Sequence, residues 1–208
     1  MPDAPVRDFP LFPLGIVALP GEVVPLRIFE ERYKTMIERC LADESEFGIV
    51  WLSDDGLREI GCACEITELV ERDDEGRLNI LTRGTRPFQL LEREERLPYP
   101  AGTVAFLDDR EEAPDGSLAA LARETYAELV ERATDSRPDP PELAKMSAYD
   151  MAATVDFGLD AKQGLLDMRS ENARLRLVTR LFRAAMKRMD FVSHAQARAR
   201  SNGKVRFQ

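Results

Sequence analysis

Three cysteines, one histidine and the acid pairs Asp54-Asp55 and Asp73-Asp74 are the side chains here whose types could support covalent or metal chemistry. Cys40, Cys62 and Cys64 include no C-x-x-C pair, and three is an odd number for a disulfide framework. Cys62 and Cys64, two apart in an extended stretch, share one face, a poor geometry for bridging each other. They read as reduced, buried thiols. His194 stands alone in a polar tail, from which a Cys-His nucleophile, a Ser-His-Asp triad or a His-ligated metal would have to recruit it. The two acid pairs could hold a hard cation or act as general acid and base, but they sit in turns, where solvated acids are the ordinary outcome. No G-x-x-x-x-G-K-[ST], G-x-G-x-x-G, H-E-x-x-H or G-x-S-x-G occurs. The sequence predicts no catalytic residue, no metal site and no cofactor.

What remains is recognition by charge. Arg176, Arg180, Arg183 and Lys187 recur at helical spacing, and from Arg174 to Gln208 ten basic residues accompany a single acid, Asp190. These four are candidates for contact with nucleic acid or an acidic partner. No base-stacking aromatic cluster stands beside them. The favoured sequence reading is that this helix lies against an acidic first part and that the tail beyond it is flexible.

The elements that position these residues change character along the chain. Residues 1–110 carry 13 basic and 23 acidic side chains, and residues 111–208 carry 16 and 15. The first part alternates like a β protein, with strands expected at 47–52, 62–70, 78–82, 88–91 and 103–107. Turns rich in Gly, Pro and Asp separate them, and Glu75-Gly76 makes 64–82 a hairpin. One helix, from about Phe29 to Leu41, has Phe29, Tyr33, Met36, Ile37, Cys40 and Leu41 at helical spacing. The second part is helical. Ser117 or Asp115 caps a first helix whose apolar stripe is Leu118, Leu121, Ala122, Tyr126, Leu129 and Ala133. Asp139-Pro140-Pro141-Glu142 opens a second helix, to about Val155, and Asp160 with Gln163 caps a short turn. Ser170 opens the last helix, to about Val192, with Leu175, Val178, Phe182, Ala185 and Met189 as its buried stripe. The expected organisation is a β-rich subdomain over 1–110, a helical bundle over 111–192 and a basic tail over 193–208.

Composition excludes several classes. With 44% hydrophobic and 32% charged residues and a formal charge of −9, the chain reads as globular rather than disordered. Its longest apolar stretch, 9–20, is interrupted by Pro10 and Pro13 and falls short of the roughly 18 residues a spanning helix needs. The first residues, MPDAPVRDF, lack the apolar run of a secretory signal. A cytoplasmic protein without membrane contact is expected.

Phe9-Pro10-Leu11-Phe12-Pro13-Leu14-Gly15, followed by Pro25-Leu26-Arg27-Ile28-Phe29-Glu30-Glu31-Arg32-Tyr33, resembles the substrate-binding N-terminal domain of Lon proteases. Gly61 to Ile66, Asp74 to Ile80, Leu81 to Phe88 and the Lys162-Gln163-Gly164-Leu165-Leu166-Asp167 segment extend the likeness over nearly the whole chain. The resemblance implies an α+β fold: a six-stranded, PUA-like β pseudobarrel packed with one helix, followed by a C-terminal α-helical bundle. The chain stops where Lon would continue into its ATPase and protease parts, so the resemblance is to a stand-alone, non-proteolytic version.

The matched prolines, Pro10, Pro13, Pro20 and Pro25, fix φ and confine their stretches to edges or loops. The function implied is a non-catalytic module that binds unfolded or degron-like protein segments, or a protein partner. Nucleic-acid binding, RNA in particular, through the basic C-terminal helix and tail is the alternative, and an enzyme with a site built from scattered residues ranks last. A peptide surface should expose apolar side chains at the barrel and helix boundary or offer an unpaired strand edge. Leu26, Phe29, Tyr33 and Trp51 are its candidates, with Arg86 as polar handle, each weighted toward core.

Overall fold

The computed structural model describes the backbone of residues 4–202 and the side chains of residues 4–192. The described residues form β1 (Val6–Leu14), β2 (Val23–Ile28), α1 (Glu31–Asp43), β3 (Phe47–Ser53), β4 (Gly56–Leu57), β5 (Ile60–Arg72), β6 (Leu78–Glu94) and β7 (Ala101–Phe106). Helices α2 (Gly116–Thr134), α3 (Pro140–Leu143), α4 (Ala148–Ala152), α5 (Leu159–Leu166) and α6 (Glu171–Asn202) follow. No helix among the described residues is long and apolar enough to cross a membrane.

The strands run in the order β1-β7-β6-β5-β3, and a parallel β1–β3 pairing closes the circuit. This is the expected pseudobarrel. β2 adds to the first half of β6, and the two-residue β4 is a spur on β3 that raises the strand count from six to seven. The two segments expected as separate strands, 78–82 and 88–91, are one 17-residue strand, because β6 pairs with β2 and the far half of β5 first and with β7 afterwards.

Prolines sit inside β1 at a register that tolerates them. Residues 6–10 pair with β7 and residues 11–14 with β3, so each half of the strand uses one side and an absent N–H at Pro10 or Pro13 interrupts one ladder only. Pro25 lies on β2, which pairs with β6 alone.

Two sets of buried side chains hold the fold. Phe9, Leu11, Val50, Ala63, Phe88 and Val104 fill the barrel, where Gly48 and Gly61 leave room for the Phe88 ring. The larger set runs without interruption from Phe12, Tyr33, Met36 and Phe47 to Tyr126, Met151, Leu165 and Phe182, so barrel and helices share one core. In β3 the alternation divides between the two, Val50 in the first and Phe47, Ile49 and Trp51 in the second, which is why the run is buried on both faces.

Several local expectations are corrected. Phe29 is outside α1 and exposed, because β2 continues to Ile28 and Glu30 is extended. Asp115, not Ser117, caps α2 by accepting from the Ser117 and Leu118 amides, and Leu121 is exposed. The helix expected from Asp139 to Val155 is two short ones. Ser147 and Asp150 form a capping box that restarts the chain, and the Arg123 side chain takes the Met146 carbonyl. α5 has Gly158, not Asp160, at its N-cap, with no side-chain hydrogen bond there, and Gln163 is turned to the Ile60 carbonyl and Asp167. On α6, Met186 is buried while Ala185 and Met189 are half-buried, and the helix continues past Val192 to Asn202. The expected flexibility of the tail concerns side chains, and residues 203–208 entirely, that lie outside the described residues.

At the β6–β7 end, Glu94 accepts from Arg96 at 2.6 Å and from the Thr103 hydroxyl at 2.8 Å. Arg96, then Thr103, hold its carboxyl down to about 2. A folded-state value below the unfolded one, about 4.3, stabilises the fold above that pH, and the contribution is lost as pH falls toward 2. Melting curves of the protein and of Glu94→Gln are therefore expected to differ most above about pH 5 and to converge by about pH 2. A constant offset across that range would rule out the assignment.

Candidate functional site

The Leu97-Pro98-Tyr99-Pro100 turn builds one wall of a hollow at the barrel–helix boundary. Two prolines fix φ on either side of Tyr99, whose buried hydroxyl accepts from Arg39 of α1 at 2.8 Å, while the Leu11 amide donates to the Pro100 carbonyl at 2.9 Å. Leu11, Pro13, Leu57, Leu97 and Pro98 line the hollow, with Arg32, Arg93, Glu94 and Glu95 supplying charge. Its volume is about 360 Å³. Arg32 is held at the start of α1 by Glu30 at 2.8 Å and lies over the Tyr33 ring at 4.6 Å. The wall is set by backbone constraints and by an anchored tyrosine, so the hollow is formed before any ligand arrives.

The five residues expected at a peptide surface are not gathered there. Phe29 is the most exposed of them, at 63%, three residues before Arg32. Leu26 is half-buried on β2, whose outer edge pairs with no described strand. Tyr33 is buried with its ring 4.2 Å from that of Phe12, and Trp51 is buried under the Arg58 guanidinium at 5.0 Å. Arg86 lies over the Phe106 ring at 3.4 Å, 3.8 Å from Glu46, in a separate hollow that Arg39 also lines. The residues sequence reasoning missed, Leu57, Leu97 and Pro98, stand in a two-residue strand and a turn, where periodicity carries no signal. The stiff Pro-x-Pro spacing was the available clue.

The other candidate chemistry disperses. All three cysteines are free and buried. The neighbouring Cys64 thiol and burial push the Cys62 thiol well up, and burial pushes Cys40 up, so both stay protonated. Asp73 caps its turn, accepting from the Arg77 and Glu75 amides and from the Arg77 side chain, which holds its carboxyl down. Asp54, Asp55 and Asp74 are exposed. Among the described residues no group of three or more His, Cys, Asp and Glu could hold a metal ion. His194 lies outside the described side chains.

Arg176, Arg180, Arg183 and Lys187 are all exposed. α6 packs mainly on α2 and α4, so the favoured sequence reading, a helix laid against the acidic first part, is corrected. The apolar stripe of α6 is matched by the helices, and the basic face is left to solvent.

The Lys162-Gln163 pair joins the two halves instead of forming a site. Lys162 donates to Glu22 at 2.5 Å, both side chains being 15% exposed, and Gln163 donates to the Ile60 carbonyl at 3.1 Å. Glu22 also accepts from the Leu19 amide, so the 19–22 loop, β5 and α5 meet through these contacts.

Comparison with known proteins agrees with this architecture. The family model for the ATP-dependent protease La (Lon) substrate-binding domain matches residues 8–184. Lon protease of Anaeromyxobacter dehalogenans is 25% identical over 190 residues, covering 83% of this chain and 22% of the relative. Lon protease 2 of Myxococcus xanthus is 27% identical over 194 residues, covering 83% and 23%. The chain thus spans less than a quarter of the length of these curated relatives. A Lon N-terminal domain protein from Xanthomonas campestris superposes with a TM-score of 0.63 at 25% identity, over 81% of this chain and 94% of that one. The N-terminal domain of a Mycobacterium avium complex Lon protease superposes at 0.62 with 20% identity, over 84% and 97%. With its family match spanning both the pseudobarrel and most of the helical part, the chain belongs to the ATP-dependent protease La (Lon) substrate-binding domain family.

Proposed function

We propose that the protein is a binding module for unfolded or degron-like protein segments, which it holds at the barrel–α1 boundary without hydrolysing them. The observation that carries this reading is a preformed, largely apolar hollow lined by Arg32, three residues along the chain from the exposed Phe29, in a chain whose family match is to a substrate-binding domain. An extended segment places successive side chains on opposite sides, so one apolar side chain enters the hollow while the backbone runs past it. Phe29 supplies an apolar contact outside the hollow, and Leu26 lies on the strand leading to it. Tyr33 and Trp51 support that surface from the core, and Arg86 is the polar handle at the neighbouring hollow.

The test is fluorescence anisotropy of the full chain with a labelled, permanently unfolded reduced and carboxymethylated globular protein, using its folded form as control. Binding of the unfolded form alone is expected. Phe29→Ser and Leu97→Ser should each weaken it roughly fivefold, the scale of losing one apolar anchor, with the labelled protein uncleaved. Equal signals for folded and unfolded forms would overturn the reading.

A further inference from the structure

The exposed basic face of α6 has no explanation in the stability of the helix. Arg176, Arg180, Arg183 and Lys187 are spaced four, three and four residues apart, so they occupy an arc of about 60° and repel one another as like charges one turn apart. They fall between positions 6 and 17 of a 32-residue helix, away from the C-terminal turn where cations are favoured by the macrodipole.

Nor do nearby acids neutralise the stripe. Among the described residues no carboxylate forms an ion pair with Arg180, Arg183 or Lys187. Asp190 pairs with Arg132, and Glu124 and Glu131 pair with Arg137. Arg176 acts on Asp115, whose carboxyl it helps to lower after the Ser117 and Leu118 hydrogen bonds. Residues 191–208 contain no Asp or Glu.

One aromatic continues the pattern. Phe191 is four residues after Lys187, on the same face, and 68% exposed, the largest exposure among the large hydrophobic side chains described. The face therefore presents positive charge over a rise of about 16 Å, followed by an apolar ring.

We propose that this face of α6 is a docking surface for an acidic protein segment that carries carboxylates at intervals of about one helical turn and an apolar side chain just beyond them. The choice over nucleic acid follows from length and charge. A phosphate backbone repeats its charge past the N-terminal end of the stripe, toward a first part whose 110 residues carry ten more acids than bases, in a chain whose net charge is −9. A short acidic segment ends where the stripe ends. The proposal is independent of the barrel-side binding reading.

The experiment measures anisotropy of the full chain with three labelled probes: a helical peptide with Glu at i, i+4, i+7 and i+11 and Leu at i+15, the same peptide with Gln for Glu, and a ten-residue oligothymidylate. The Glu peptide is expected to bind at least tenfold tighter than either other probe and to lose about tenfold between 50 and 200 mM salt. Arg180→Gln with Arg183→Gln should cost at least tenfold, Phe191→Ser about threefold with the salt dependence retained, and Phe29→Ser nothing. Lys187→Glu provides a second charge variant should circular dichroism reveal helix loss in the first. No binding of the Glu peptide at 50 mM salt, binding indifferent to both charge variants, or tighter stripe-dependent binding of the oligonucleotide would each overturn the proposal.

Discussion

Gly84→Ala is expected to destabilise the fold by about 3 kcal/mol or more and, for a chain of this size, to lower the melting temperature by roughly 6–12 °C. A Cβ at position 84 would overlap the Leu19 carbonyl and fall 3.1 Å from the Cys62 sulfur. The Leu19 backbone has no room to retreat. Gly21 donates to the Gly84 carbonyl at 2.8 Å, and Gly84 donates to the Glu22 carbonyl at 2.9 Å, so the 19–22 loop is stitched to β6 at that point. Moving the loop would also disturb Glu22, the partner of Lys162, and hence the seating of α5. Gly15→Ala is the control, since nothing lies within 4 Å of its Cβ position, and a change under about 0.5 kcal/mol is expected there. Comparable urea midpoints for both variants would remove the close approach as the reason for glycine at 84.

That site illustrates what could be read from sequence. Gly76 stands between two alternating runs, so the β5–β6 hairpin was legible, and its φ of +71° fits the turn. Gly84 carried no such mark. Its neighbour, the 19–22 loop, is more than 60 positions away, and periodicity says nothing about contacts at that range. Strands β1 and β2 were hidden for a related reason. Pro10, Pro13 and Pro25 argue against a strand when read locally, and only the split pairing of β1 and the single pairing of β2 make them acceptable.

Helical calculations succeeded where one face is buried, as for Tyr33, Met36, Ile37 and Cys40 on α1. They failed at 139–155, where a proline-led start is overridden by the Ser147–Asp150 capping box. The hollow was illegible because its lining comes from turns and a two-residue strand. The basic face of α6 was legible residue by residue, but its exposure depends on which helices cover the opposite face.

The second large effect is expected at Arg174, which is 3% exposed although most of its neighbours on the basic part of α6 face water. Its Nη1 donates to Asp109 at 2.8 Å and to the Met168 carbonyl at 3.0 Å, and its Nε donates to Glu171 at 3.0 Å. The guanidinium lies 4.3 Å from the centre of the Tyr149 ring, and burial pushes that tyrosine's hydroxyl up to about 12. Burial alone would favour the neutral form of Arg174. The Asp109 hydrogen bonds and the charges of Asp109 and Glu171 outweigh it, and its pKa is raised, so the side chain stays charged wherever the fold survives. One planar cation thus ties the segment leaving β7 to α4, the 168–170 turn and α6. Arg174→Met keeps much of the volume and removes the fork. Because Asp109 and Glu171 are 41% and 35% exposed and regain water, the cost falls below the roughly 3–5 kcal/mol of a fully buried broken pair, at about 2–3 kcal/mol. Arg174→Lys should recover less than half of it, since a single ammonium cannot meet Asp109, Glu171 and the Met168 carbonyl together. Arg132→Met, at the exposed pair with Asp190, should stay within about 0.5 kcal/mol. Limited proteolysis supplies a local reading: loss of the fork releases 108–111, and cleavage there should quicken before global unfolding. Full stability in Arg174→Lys would mean that charge alone, without the bidentate geometry, seats the helices on the barrel.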